Sequence, residues 1–208
     1  MSNNRAEIKL EIFILVLLIA FSLFVSLANI NFPPYKTFDE LYRINRVEAF
    51  MKGEPFITPQ PHFSRYIILI GILFFGDNTF GWRIMQALTG ALLIPVGYLV
   101  SKTLFKHKYA GLITAFLITS ELAYLVYSRI GVVSIFQVCF RAIAILFFIL
   151  PTETANTTKS RFFYTISAIT TGISLAIKWT ALTLLPTFWL WQTINNNSKK
   201  TTGQKTTF

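Results

Sequence analysis

"RYIILIGILFFG", Arg65–Gly76, decides how this chain is threaded. Its uninterrupted apolar core, Tyr66–Phe75, is ten residues long, or about 15 Å as an α-helix. A bilayer's hydrocarbon layer is about 30 Å thick. The segment is therefore expected as a helix that lies in the membrane interface or enters it only partway. Charge placement supports that reading. With the N-terminus cytoplasmic and this helix not spanning, four segments fall on the cytoplasmic side. They are the N-terminus, Lys102–Lys108, the loop around Lys159 and Arg161, and the tail with Lys199, Lys200 and Lys205. All are basic, as the positive-inside rule requires. Letting Tyr66–Phe75 span would move "SKTLFKHK" outside and break the rule.

The remaining composition agrees with a membrane protein. Of 208 residues, 53% are hydrophobic and only 13% charged, too few charges to cover the surface of a soluble domain. Further spans are expected at about Leu10–Ile30, Trp82–Phe105, Gly111–Tyr127 and Val132–Leu150. The apolar stretch Phe162–Gln192 is read as two short helices meeting at Lys178. Ile12–Ile30 is long for a signal-peptide core and lacks an A-x-A cleavage site, so it is read as a retained helix. The expected fold is all-α, a polytopic bundle of about six (five to seven) transmembrane helices. An interfacial helix lies in its first external loop. Residues 1–194 form one membrane module, with that loop at 31–81, and 195–208 form a disordered cytoplasmic tail. The protein is expected to be integral and multi-pass; in a bacterium it would sit in the plasma membrane.

Several classes are disfavoured. The net charge of +10 comes from residues at the ends of apolar runs, which fits topology rather than nucleic acid. Cys139 stands alone, and His62 and His107 lie far apart, so no metal-ligand spacing is present. No nucleotide-binding glycine motif occurs.

The external loop carries the candidate chemistry. In "FDELYRINRVEAF", Phe38, Leu41, Ile44 or Asn45, and Val47 or Glu48 form a weak amphipathic stripe, suiting a helix on the membrane surface. Asp39 and Glu40 stand at its start. One reading makes them acids favoured by the helix dipole, and the residues alone favour it. The other makes them a general base at the membrane edge. Arg65 and Arg83 flank the short helix. They either snorkel to headgroups or clamp a lipid phosphate through the guanidinium fork. Arg129 joins the same basic group. Arg141, inside the fourth span, has Glu121 as its nearest acid, and Lys178 is read as a helix end.

An ordered series of segments then resembles a known family. "FDE" (Phe38–Glu40) is followed by "GDNTFGWRIMQALTGALLIPVGYLVSKTLF" (Gly76–Phe105), "YSRIGVVSIF" (Tyr127–Phe136) and "GISLAIKWTAL" (Gly172–Leu182). Together they are similar to the membrane module of the protein O-mannosyltransferases, which use dolichyl- or polyprenyl-phosphate mannose. The resemblance runs from about Phe38 to Pro186. It implies a GT-C-like bundle that moves a sugar from a lipid-phosphate carrier to an acceptor hydroxyl on the outer face. It also implies catalysis by Asp39, with Glu40 beside it, and Arg83 near the carrier phosphate. No cofactor is implied; the lipid-phosphate sugar is a substrate. The expected partners are that lipid, membrane lipids, and a protein acceptor or second chain. Where the family carries further acids, this chain has Thr58 and Ser134, which leaves the acid chemistry to Asp39 and Glu40. Family members continue with more spans. A non-catalytic protein that binds a lipid phosphate or a partner chain is therefore the alternative expectation. A small transporter built on Arg141 and Glu121 is a weaker third.

Overall fold

The computed structural model describes residues 2–55, 58–153 and 157–201, and all regular structure among them is helical. Helix α1 (Ser2–Leu27) opens with polar and charged residues and becomes an almost unbroken apolar run from Ile12 on. Helix α4 (Thr79–Phe105) starts where the Asn78 side chain accepts the Gly81 N–H at 3.0 Å. These two are long and apolar enough to cross a membrane. They run antiparallel. Lys102 reaches Glu11 at one end, at 2.7 Å, and Arg83 reaches the Ile30 carbonyl at the other, at 2.8 Å. Their ends define the two ends of the bundle.

The expected bundle of about six spans is coarser in the structure. Beyond α1 and α4, the apolar helices are shorter: α3 (Phe63–Phe75), α5 (Lys108–Ser120) and α7 (Ser134–Ile149). The single span expected over Gly111–Tyr127 is broken. Glu121 is extended, and its carboxylate accepts the Ala123 N–H to start α6 (Leu122–Tyr127). Glu121 therefore caps a helix instead of pairing with Arg141, which donates to Thr183 at 2.6 Å. The chain also breaks at Lys178. Helix α8 (Thr157–Ile177) ends there, a 3-10 turn covers Trp179–Thr183, and α9 (Leu184–Thr201) follows. Residues 195–201, expected as disordered tail, continue α9; 202–208 lie outside the described residues.

Helix α7 packs between α4 and α8, and its Phe136 and Cys139 are buried with Ile68, Ile94 and Ile177. Helix α3 turns back onto α4 through Gly76–Asn78, and the two helices touch by backbone. A Cβ on Gly71 would lie 2.4 Å from the Gly81 carbonyl oxygen, and one on Gly81 only 2.1 Å from that of Gly76. No flexible side chain can yield at either place. Gly81→Ala is thus expected to destabilise by about 1–3 kcal/mol, the usual cost of forcing extra volume into a packed contact. Thermal unfolding of the detergent-solubilised protein measures it.

Helix α2 (Glu40–Met51) forms where the amphipathic stripe is expected; Ile44 and Val47 of that stripe turn inward, but Glu40 and not Phe38 or Leu41 joins them. Its buried residues are Glu40, Ile44 and Val47, spaced i, i+4 and i+7 on one helical face. Phe38 and Leu41, members of the expected stripe, are 76% and 46% exposed. A carboxylate replaces an apolar side chain on the inward face, which is tolerable only if a cation meets it there.

Candidate active site

That cation is Arg83, one turn into α4. Arg83 and Glu40 are 1% and 0% exposed. Arg83 Nε donates to Glu40 Oε1 at 2.7 Å and Nη2 donates to Oε2 at 2.8 Å, a bidentate pair. The remaining guanidinium N–H groups go to the carbonyls of Ile30, Pro33 and Tyr35, at 2.8–3.2 Å. All five donors of the guanidinium are engaged. Glu40 is as fully used. Its oxygens also accept the Thr37 N–H (2.9 Å) and hydroxyl (2.8 Å) and the Gly131 N–H. Burial alone would raise the Glu40 pKa. The hydrogen bonds from Arg83, Thr37 and Gly131 outweigh it and hold the carboxyl below its ordinary value. A Cβ on Gly131 would lie 3.1 Å from Glu40 Oε1, so a glycine there lets the 128–133 segment close over the pair.

The pair ties together four pieces of chain. They are the 30–37 loop, the start of α2, the start of α4 and the loop after α6. Arg129 adds to this by donating to the Ala28 carbonyl at 2.7 Å, placing a cation at the C-terminal end of α1, where the helix dipole favours one. Lys36 bonds Asn45 and Glu48 and lies 5.2 Å from the Trp82 ring centre, fastening α2 to the start of α4.

Asp39, one residue before Glu40, faces outward. It makes no side-chain capping bond to α2. Its carboxylate is 45% exposed and lies 3.6 Å from Arg43. It is the acid of the pair that solvent, or a substrate, can reach. Its neighbour Arg43 is one of three arginines whose charges the fold brings together. Arg43 and Arg46 stand one turn apart on α2, which packs on α3, where Arg65 is 3% exposed. Arg65 contacts His62 Nδ1. Burial, then the charges of Arg46 and Arg43, lowers its pKa to about 10, which leaves it charged at neutral pH. Arg43 is also lowered, by burial first and by Arg46, against the pull of Asp39. Its Nε is buried with no hydrogen-bond partner among the described residues. Three guanidinium groups thus feel one another's charge, with Asp39 3.6 Å from Arg43 as the acid beside them, an arrangement a bound anion would relieve.

The residues singled out from sequence fall into two groups. Glu40, Arg83 and Arg129 are engaged within the fold; Asp39 is exposed beside Arg43, and the buried Arg65 lies with Arg43 and Arg46 where α2 packs on α3. The signal for Arg43 and Arg46 was the "RINR" spacing, but only packing against α3 brings Arg65 beside them. Trp179, at the break after α8, donates to the Pro59 carbonyl at 3.2 Å. This sets the half-buried Lys178 near the segment leading into α3. Among the described residues no three His, Cys, Asp or Glu side chains converge as a metal site.

Residues 59–207 match the family "Dolichyl-phosphate-mannose-protein mannosyltransferase". The chain belongs to this family. The match begins after Asp39 and Glu40, so it rests on the helices and not on the acid pair. The chain is also 26% identical over 192 residues to Protein O-mannosyl-transferase 1 of Danio rerio. That alignment covers 83% of this chain and 27% of the zebrafish protein. The chain therefore spans about a quarter of the length of this curated relative. Membership supports a glycosyltransferase of the mannosyltransferase kind.

Proposed function

We propose that this chain carries the donor-binding and base-bearing face of a membrane mannosyltransferase that uses a lipid-phosphate carrier. The observation that carries the reading is the exposed Asp39, fixed beside a buried Glu40–Arg83 pair and 3.6 Å from Arg43, which in turn lies within reach of the charges of Arg46 and Arg65. The fold is read as a GT-C-like multi-pass bundle with a cytoplasmic N-terminus, and this face lies on the outer side.

The chemistry follows from those positions. The acceptor hydroxyl oxygen attacks C1 of the sugar, and its proton passes to Asp39. The bond from C1 to the phosphate oxygen breaks, and the lipid phosphate leaves with the electron pair. Arginines stabilise the charge gathering on that phosphate, and they act most strongly where water is excluded. The Arg43–Arg46–Arg65 group fits this task because its own repulsion is offset when an anion binds. Arg83, expected near the phosphate, has its donors engaged by Glu40 and three carbonyls, so its part here is to position the loop. Glu40, expected to share the acid chemistry, positions Asp39 in the same way. Arg129 holds the end of α1.

The direct test is mannose transfer from polyprenyl-phosphate mannose to a Ser/Thr peptide by the purified chain in membranes. Arg65→Gln and Arg43→Gln are each expected to weaken carrier binding by about 10-fold or more, the loss of one charge-assisted hydrogen bond of 1.5–3 kcal/mol. Titration with polyprenyl phosphate reads this directly. Unchanged affinity in both variants would place the phosphate elsewhere. Carrier binding without any transfer by the wild type would favour the second reading, a lipid-phosphate-binding module whose catalysis needs another chain. The 27% coverage of the zebrafish relative is what keeps that reading in view.

A further inference from the structure

Arg83 shows how this fold treats a guanidinium held among helices: one carboxylate and three carbonyls take all of its donors. Arg141 is treated differently. It stands two turns into α7, about 10 Å along the helix from Ser134. Its Nη2 donates to the Thr183 hydroxyl at 2.6 Å, and its other N–H groups have no partner among the described residues. One turn nearer the start of α7, Gln137 donates to the Lys178 carbonyl at 3.4 Å and to the Thr180 hydroxyl at 2.6 Å. The two side chains fasten α7 to the 3-10 turn. The Thr183 bond holds the guanidinium against that turn, where snorkelling to the headgroups would pull it away.

No acid compensates this charge. Of the nine Asp and Glu residues only Glu153 lies between 134 and 201, past the far end of α7. No ion pair of Arg141 occurs among the described residues. Lys178, half-buried just before the same turn, adds a second cation. The surroundings are apolar and open: Val138, one turn before Arg141, and Leu182, beside Thr183, are 47% and 57% exposed. An ionisable side chain in a hydrocarbon layer is costly and is met there by a partner. We propose that this face of α7 and the 3-10 turn docks a transmembrane helix of a different chain, one that carries a carboxylate at the depth of Arg141. The guanidinium donors not used by Thr183 bond that carboxylate, which their planar fork matches, and Val138 and Leu182 pack on the apolar sides of the partner helix. A second copy of this chain does not fit, because a two-fold contact at this face sets its cations against each other. The proposal rests on the reading of α7 as a membrane helix and is independent of sugar transfer.

The test uses the full 208-residue chain in phosphatidylcholine vesicles. Fluorescent Leu/Ala transmembrane peptides with one central Glu, Gln or Lys are added, and energy transfer to a label on the chain reads association. The Glu peptide is expected to associate about 10-fold more tightly than the Gln peptide, the worth of one charge-assisted contact. Arg141→Gln is expected to abolish that excess, while Lys52→Gln, just past α2, leaves it. Arg141→Glu is expected to reverse the preference, so that the Lys peptide associates more tightly than the Glu peptide. Circular dichroism of each variant separates loss of the partner from loss of the fold. Extraction of the chain from the vesicles by alkaline carbonate would overturn the membrane reading and the proposal with it. Equal association of the Glu and Gln peptides with a retained chain would overturn the proposal alone, as would a Glu preference untouched by Arg141→Gln. Arg141-dependent retention of phosphatidylglycerol without any Glu preference would assign the face to an anionic lipid instead.

Discussion

Asp39→Asn is expected to reduce mannose transfer by about 10²–10⁴-fold, the usual contribution of a positioned general base. Asn keeps the size and a polar tip but cannot take the acceptor's proton. The fold should be indifferent to the change. Asp39 is 45% exposed, makes no capping bond and meets Arg43 only at 3.6 Å, and an exposed pair of that kind is worth about 0–1 kcal/mol. Binding of polyprenyl phosphate should persist or tighten, because one negative charge leaves the neighbourhood of Arg43 and of the arginines that share its field. Measuring transfer, carrier affinity and melting temperature on the same preparation separates these effects. Unchanged transfer with unchanged stability would remove Asp39 from the chemistry.

Arg83→Met should instead act on the fold. It would leave the Glu40 carboxylate buried and unpaired and take away the donors to the Ile30, Pro33 and Tyr35 carbonyls. Breaking a buried ion pair from one side costs about 3–5 kcal/mol, a large share of a typical domain's stability. Adding Glu40→Gln should recover part of that loss, since the orphaned charge disappears. The sign of the pH effect is set by the lowered Glu40 pKa. A carboxyl whose folded value lies below its unfolded one stabilises in full above the unfolded value. That contribution fades as the pH falls through the folded value. Acid should therefore loosen the 30–37 loop in wild type before the rest of the bundle. Limited proteolysis at falling pH reads this, and in Arg83→Met the loop should already be cleaved at neutral pH. Equal cleavage of both proteins at neutral pH would count against the pair as the clasp of this loop.

Much of this was legible in the chain itself, and the parts that were not share one cause. The helices α1, α3, α4 and α7 could be read because apolar runs and the charges that bound them are local features. The break at Lys178 was legible for the same reason. The break at Glu121 was missed, because an acid among apolar residues reads equally well as half of an ion pair, and its use as a helix cap depends on local backbone geometry. The inward face of α2 is legible at Ile44 and Val47 but not at its start, for a related reason. An apolar stripe counts Phe38 and Leu41 as inward, whereas the inward face carries Glu40. Only a partner 43 positions later, Arg83, makes that burial affordable.

Sequence by itself determined that this is a helical, apolar chain and a member of the mannosyltransferase family, since hydropathy and an ordered motif series need no knowledge of contacts. It also marked "DE" as the place to look for chemistry. Which of the two acids faces a substrate was decided only by tertiary structure. Adjacent residues on a helix point about 100° apart, so when Glu40 turns in to meet Arg83, Asp39 is left outside beside Arg43. The same folding step gathered Arg65 from α3 to Arg43 and Arg46 on α2. Charge repulsion among side chains distant in sequence is a property of packing, and no spacing rule along the chain contains it.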